Sequence, residues 1–183
     1  MYVPSNDIPS FIWLEEVNKK NAYYSYSMHT EIIKDQDGYP GSKPPWGNLT
    51  AIDLNNGKII WKTPFGEYDK LMKKGIPITG TYNYGGVTAT AGGLVFATGT
   101  LDNKLRAFNS ANGKELWSYK LPFSGSSPPT IYEYNNEQYI LVPVTGSVSL
   151  RKAFPDKNIR LYGEGKISLD EGENYDIGIF PAY

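Results

Sequence analysis

The sequence predicts an all-β fold, a partial β-propeller of about three four-stranded blades. Three observations carry that expectation. Strand-favouring aromatic residues are abundant, with 15 Tyr, 7 Phe and 4 Trp among 183 residues. An eleven-residue pattern ending in tryptophan occurs twice. Asn-Gly, Gly-Gly and Asp-Asn pairs punctuate the chain where tight turns would join short strands.

The repeat is the strongest signal, because self-similarity at a fixed period defines this kind of architecture. Residues 51–61 read Ala-Ile-Asp-Leu-Asn-Asn-Gly-Lys-Ile-Ile-Trp, and residues 107–117, which lie 56 positions on, read Ala-Phe-Asn-Ser-Ala-Asn-Gly-Lys-Glu-Leu-Trp. Ala51 and Ala107 suit strands with little room around them. Asp53 and Asn109 can accept hydrogen bonds from turn amides. Asn56-Gly57 and Asn112-Gly113 tolerate the positive φ of a hairpin. Trp61 and Trp117 would then offer flat indoles to neighbouring sheets.

The elements follow in order. Tyr2-Val3-Pro4-Ser5-Asn6 reads as a strand, and a blade ends at Trp61–Phe65. Gly85–Ala91, Leu94–Gly99, Leu105–Asn109 and Glu115–Leu121 make the next blade, turned at Gly92-Gly93 and Asp102-Asn103. A further blade starts near Pro128, with Thr130–Tyr134, a turn at Asn135-Asn136 and Gln138–Val144. Residues 34–46 and 66–84 interrupt the pattern, the second with one or two helical turns at Tyr68–Lys74. Insertions of this kind in a regular scaffold tend to carry function. Residues 1–150 are thus assigned to blades and 151–183 to a tail holding a candidate closing strand at Tyr175–Phe180. Closed propellers have four to eight blades, and an open wedge exposes sheet edges. The chain is therefore expected to be part of a larger ring or to complete one with another polypeptide.

Composition removes several functions. A net charge of −1 provides no basic field for a phosphate backbone, which argues against nucleic acid. With no Cys, disulfides, thiolate metal sites and haem attachment through Cys-x-x-Cys-His are excluded. No stretch approaches the roughly 20 apolar residues of a membrane helix. The start has no basic and then apolar leader pattern. It is expected to be cytoplasmic or the later part of a longer precursor. His29 is the one histidine, so a surface or packing role is expected rather than a metal site or a triad. Asn48-Leu49-Thr50 fits a glycosylation pattern but precedes a strand expected to be buried. Asp35-Gln36-Asp37-Gly38 lacks the downstream Glu of a calcium loop.

More specific is the run Gly85-Gly86-Val87-Thr88-Ala89-Thr90-Ala91-Gly92-Gly93-Leu94-Val95-Phe96, continuing through Thr98-Gly99-Thr100-Leu101-Asp102 and Leu105-Arg106-Ala107-Phe108. It resembles the last full blade of the quinoprotein (PQQ-dependent) dehydrogenases. The repeat is similar to their tryptophan-docking motif. Pro45-Trp46-Gly47-Asn48-Leu49-Thr50-Ala51-Ile52-Asp53-Leu54 is similar to their membrane-bound glucose dehydrogenase branch. The likeness runs from residue 1 to about 146.

That resemblance implies a C-terminal part of an eight-bladed periplasmic enzyme that holds pyrroloquinoline quinone (PQQ) and Ca2+ on its axis and oxidises sugars or alcohols. An aspartate base takes the hydroxyl proton, and hydride passes to a quinone carbonyl polarised by calcium and a cationic side chain. Electrons would leave to a quinone or another acceptor. Any membrane association would lie in a missing N-terminal region. The base, the calcium ligands and the cation have no counterpart here, so no catalytic or metal-ligating residue is assigned. The cofactor-binding residues implied are Asn6, Asn83, Tyr84 and Gly85, with Thr145-Gly146 a weaker candidate. Asn6 could equally be a turn residue before Asp7, and Tyr84 could pack between blades. The alternative function is a non-catalytic propeller module, similar to outer-membrane assembly lipoproteins, that binds partner peptides and no quinone.

Overall fold

The computed structural model describes residues 1–17, 23–144, 146 and 178–181. Its complete unit is an antiparallel meander of four strands: β6 (Val87–Ala89), β7 (Leu94–Ala97), β8 (Lys104–Asn109) and β9 (Glu115–Lys120). Each turn has its chemical cause. Gly93 and Asn103 take positive φ at the first two turns, and Gly113 does so at the third.

The preceding sheet follows the same plan with a large interruption. β1 (Tyr2–Asn6) pairs with β4 (Gly47–Ile52), and β4 pairs with β5 (Ile59–Pro64). Both repeat copies shift register at the same place, after Ala51 and after Ala107. Asp53 Oδ1 accepts the Asn55 N–H, and Asn109 Oδ1 accepts the Ala111 N–H, both at 2.9 Å. Only the glycines of the two Asn-Gly pairs have positive φ. Asn56 and Asn112 act through their side chains, accepting the N–H of Lys58 and Lys114. The turn is therefore wider than the two-residue hairpin expected, closed by Gly57 N–H to Asp53 O and Gly113 N–H to Asn109 O.

Between β1 and β4 stands an exposed hairpin that the sequence reading did not anticipate: β2 (Ser10–Glu16) paired with β3 (Tyr26–Ile32). His29 lies on it, stacked on Trp13 and within 3.0 Å of Glu15. The insertion after β5 contains the single-turn α1 (Asp69–Lys73). A third sheet joins β10 (Thr130–Tyr134), β11 (Glu137–Val142) and β12 (Gly178–Pro181). Asn135 and Asn136, both at positive φ, turn β10 into β11. The rest of the expected tail, Tyr175–Asp176–Ile177 included, lies outside the described residues.

The sheets stack face to face. Leu49, Ala51, Trp61 and Phe65 of the first pack on Val95, Ala97 and Phe108 of the second. Phe96, Leu105 and Ala107 point the other way, onto Ile140 and Val142 of the third. β7 is buried on both faces, which is why it reads as an unbroken apolar run. Trp61 is 9% exposed; its Nε1 donates to Ser110 O at 2.9 Å in the next sheet's turn. Asn48 is buried on β4, so the glycosylation pattern has no accessible acceptor. The Asp35 carboxylate accepts the N–H groups of Asp37 and Tyr39, forming a plain turn.

Candidate functional site

β1 carries Asn6 to the end of its sheet, opposite Gly47. The chain then departs, with Asp7 N–H bonding Trp46 O. The insertion after β5 returns to the same end. Trp46 N–H bonds Thr79 O, Phe65 N–H bonds Gly47 O, and Thr81 N–H bonds Phe65 O. These bonds bring residue 83 beside residue 6.

The result is a two-way clasp. Asn6 Nδ2 donates to Asn83 O at 2.9 Å, and Asn83 N–H donates to Asn6 Oδ1 at 2.8 Å. The Asn6 side chain thereby mimics a peptide unit and completes the backbone pairing of Asn83. Asn83 is 4% exposed, and its Nδ2 donates to Ser5 O and Thr81 O. Its backbone also bridges Thr100, and Tyr84 N–H bonds Gly99 O.

The two sides of the clasp differ in what they present. Asn6 is exposed, and one of its two Nδ2 hydrogens goes to Asn83. Tyr84 is 55% exposed. Beside it, burial is the main cause that raises the Tyr82 phenol above its ordinary value, with Tyr84 contributing. Gly85 sits where the backbone crosses Gly99. A Cβ on Gly85 would lie 2.2 Å from Thr98 O, and one on Gly99 would lie 2.5 Å from the Gly85 Cα. No other residue fits either position. Gly146 N–H bonds Ser124 O, and Thr145 lies outside the described residues.

Sequence reading missed the charged cluster beneath this loop. Arg106 Nη2 meets Asp102 Oδ2 at 2.5 Å, with 2% of each side chain exposed. Arg106 Nη1 donates to Asp102 Oδ1 and to Thr100 Oγ1, and the Thr100 hydroxyl donates to Asp102 Oδ1 at 2.5 Å. Asp102 Oδ2 also accepts the Glu67 N–H, and Lys104 pairs with Glu67. Burial alone would raise Asp102. The Arg106 guanidinium, the Thr100 hydroxyl and the Glu67 N–H outweigh it and hold the carboxyl below its usual range. The spacing from Thr100 through Asp102 to Arg106 was the available signal. In sequence it looks like a solvated turn entering a strand.

A cavity of about 210 Å³ adjoins this cluster, lined by Tyr39, Tyr68, Leu101 and Lys120 among others; Asn6, Asn83, Tyr84 and Gly85 do not line it. Among the described residues, no three Asp, Glu or His side chains gather to hold a metal ion, and no helix is long and apolar enough to cross a membrane.

Known proteins resemble this chain as follows. The family described as "PQQ: Glucose/ethanol/alcohol dehydrogenase, beta-propeller domain" matches residues 10–140. The quinate/shikimate dehydrogenase (quinone) of Acinetobacter baylyi is 40% identical over 129 residues, which cover 67% of this chain and 16% of that protein. The quinoprotein glucose dehydrogenase of Escherichia coli is 36% identical over 114 residues, covering 60% of this chain and 14% of that one. A europium-containing methanol dehydrogenase superposes with a TM-score of 0.53 at 23% identity, over 77% of this chain and 22% of that chain. That likeness is one of fold. The chain spans less than a fifth of the length of either curated relative.

Proposed function

This chain belongs to the β-propeller family of PQQ-dependent glucose, ethanol and alcohol dehydrogenases, and on that premise we propose that it is the C-terminal part of such an enzyme, oxidising a sugar or alcohol. It contributes one wall of the cofactor pocket through Asn6, Asn83, Tyr84 and Gly85. The base that takes the hydroxyl proton, and the ligands of Ca2+, come from blades outside this chain. Periplasmic location and transfer of electrons to a quinone acceptor belong to the same reading.

The observation that carries the proposal is the Asn6–Asn83 clasp. It fixes the exposed Asn6 amide through its oxygen and one of its two N–H groups against Asn83, whose chain neighbour Tyr84 is itself exposed. A fixed amide with an N–H to spare and an exposed aromatic side chain on the adjoining loop suit a planar cofactor edged with carbonyl and carboxylate oxygens. Bound there, PQQ supplies the two-electron acceptor for the oxidation. Asn6 donates to a cofactor oxygen, and Tyr84 covers part of the ring or its edge. Asn83 holds Asn6 from beneath, and Gly85 lets the loop lie close to Gly99.

The test is titration of PQQ into the 183-residue chain, with and without Ca2+, followed by the cofactor's absorbance. Binding is expected to weaken about tenfold in Asn6→Ala, as for loss of a hydrogen bond to a charged group. Dye-linked glucose oxidation is expected to be absent. Equal affinity in wild type, Asn6→Ala and Tyr84→Ala removes the site. Turnover by the chain alone removes the claim that the base lies elsewhere.

A further inference from the structure

We propose that the buried cluster of Thr100, Asp102 and Arg106 is a positioning device for Asn83, and through it for the Asn6 amide. The inference rests on the cofactor reading for its purpose, but its geometry stands apart from it. Besides its side-chain bonds to Ser5 O and Thr81 O, Asn83 has two sets of backbone supports. One is the Asn6 side chain. The other is the backbone bridge to Thr100 and the Tyr84 N–H to Gly99 O bond.

Residues 98–103 form a loop between β7 and β8, and a loop is a poor template unless something fixes it. The cluster fixes it from within. Thr100 is fully buried; its hydroxyl donates to Asp102 and accepts from Arg106. Arg106 stands on β8, so the loop is tied to a rigid strand. Its Nε also bonds Glu115, on β9, at 3.0 Å. Two further bonds join the same loop to the insertion: Leu101 N–H to Thr81 Oγ1 and Glu67 N–H to Asp102 Oδ2. Lys120 Nζ caps Asp102 O at 2.5 Å. Every donor and acceptor named here lies on one of the segments that meet at Asn83 or on the strands behind them.

A buried ion pair does not by itself add stability, since a well-packed apolar pair of similar size often does as well. It does hold directions, because a guanidinium and a carboxylate meet in one planar arrangement. The equivalent place in the first blade, 56 positions earlier, has Trp46 where this blade has Asp102 and Thr50 where it has Arg106. The blade core can therefore be filled without charge. The charged version stands under the loop that pairs with Asn83.

The experiment uses the whole 183-residue chain and amide hydrogen exchange resolved by residue. Thr100→Val keeps the shape and removes the hydroxyl. It is expected to raise exchange at the Asn83 and Tyr84 N–H about fivefold to tenfold, the worth of one net hydrogen bond, with Leu49 and Ile140 unchanged. Thr100→Ser restores the hydroxyl and should return Asn83 to the wild-type rate. Arg106→Lys keeps the charge but loses the forked geometry, and should again raise Asn83 selectively. Unchanged exchange at Asn83 in Thr100→Val, or an equal rise at Leu49 and Ile140, overturns the proposal. PQQ titration separates the two readings. PQQ affinity that is the same in wild type, Asn6→Ala and Tyr84→Ala removes the cofactor reading, while exchange at Asn83 still decides the positioning role.

Discussion

Trp61 and Trp117 end two copies of one motif, occupy the same register opposite Ala51 and Ala107, and have different fates. Trp61 is buried against the next sheet, its ring over Gly113 and its Nε1 on Ser110 O. Trp117 is 41% exposed and stacks on Tyr119 of its own strand. The difference teaches that docking belongs to the neighbour and not to the motif. What receives an indole is the Asn109–Gly113 turn of the following blade, and among the described residues Trp117 meets no such turn.

The largest expected effect tests this contrast directly. Trp61→Ala should cost about 3–5 kcal/mol, as for other buried aromatic deletions. Trp117→Ala should cost about 1–2 kcal/mol, for the smaller area it removes from water. Urea unfolding midpoints measure both, and equal costs would break the comparison.

Next comes the charge that distinguishes the second blade. Asp102→Asn leaves the buried Arg106 with only the partly exposed Glu115 carboxylate as its anion and should cost about 3 kcal/mol at pH 7. The Asp102 carboxyl is held below its ordinary value of 3.8. Its stabilising contribution is therefore present above about pH 4 and lost as pH falls through the lower, folded value. Wild type should lose stability more steeply than Asp102→Asn as pH falls below about 4. Unfolding curves across that range check the sign.

The turns give a smaller and cleaner contrast. Gly57 and Gly113 have φ of +70° and +71°, but a Cβ on Gly57 meets nothing within 4 Å, whereas one on Gly113 would lie 2.5 Å from the Trp61 ring. Both Gly→Ala changes carry the left-handed strain of about 1 kcal/mol. Gly113→Ala should carry about 1–3 kcal/mol more, because the indole must move. That surplus should vanish in a Trp61→Ala background, as a double-mutant cycle would measure. Smallest is Trp61→Phe against Trp61→Ala, which separates the Nε1–H bond, worth about 1 kcal/mol, from the packing.

The second blade was legible because its boundaries are written in local chemistry. Gly92-Gly93, Asn103 and Gly113 turn strands whose apolar runs have nowhere else to go. The hairpin of β2 and β3 was not legible for the opposite reason. Phe11, Ile12, Trp13, Leu14 and Met28 are all exposed, so no polar face alternates with a buried one to mark a strand. The site divides similarly. Asn6 and Tyr84 came from family resemblance, whereas the clasp joins atoms 77 residues apart and leaves no mark in either segment. The pair of Asp102 and Arg106 is local in sequence, yet the Glu67 N–H that Asp102 also accepts comes from the insertion 35 residues earlier.

One consequence follows from β7, whose Val95 and Ala97 face one neighbour while Phe96 faces the other. In a strand with one wet face, a slip by one residue throws apolar groups into water and corrects itself. β7 has no wet face to report such an error. The alignment must be checked by something other than hydrophobicity, and the crossing of Gly85 with Gly99 supplies it. Two backbones touch there at a distance that only paired glycines allow, so a slipped chain would jam before it closed. The loop next to the proposed cofactor wall thus also restricts the register in which this blade can close.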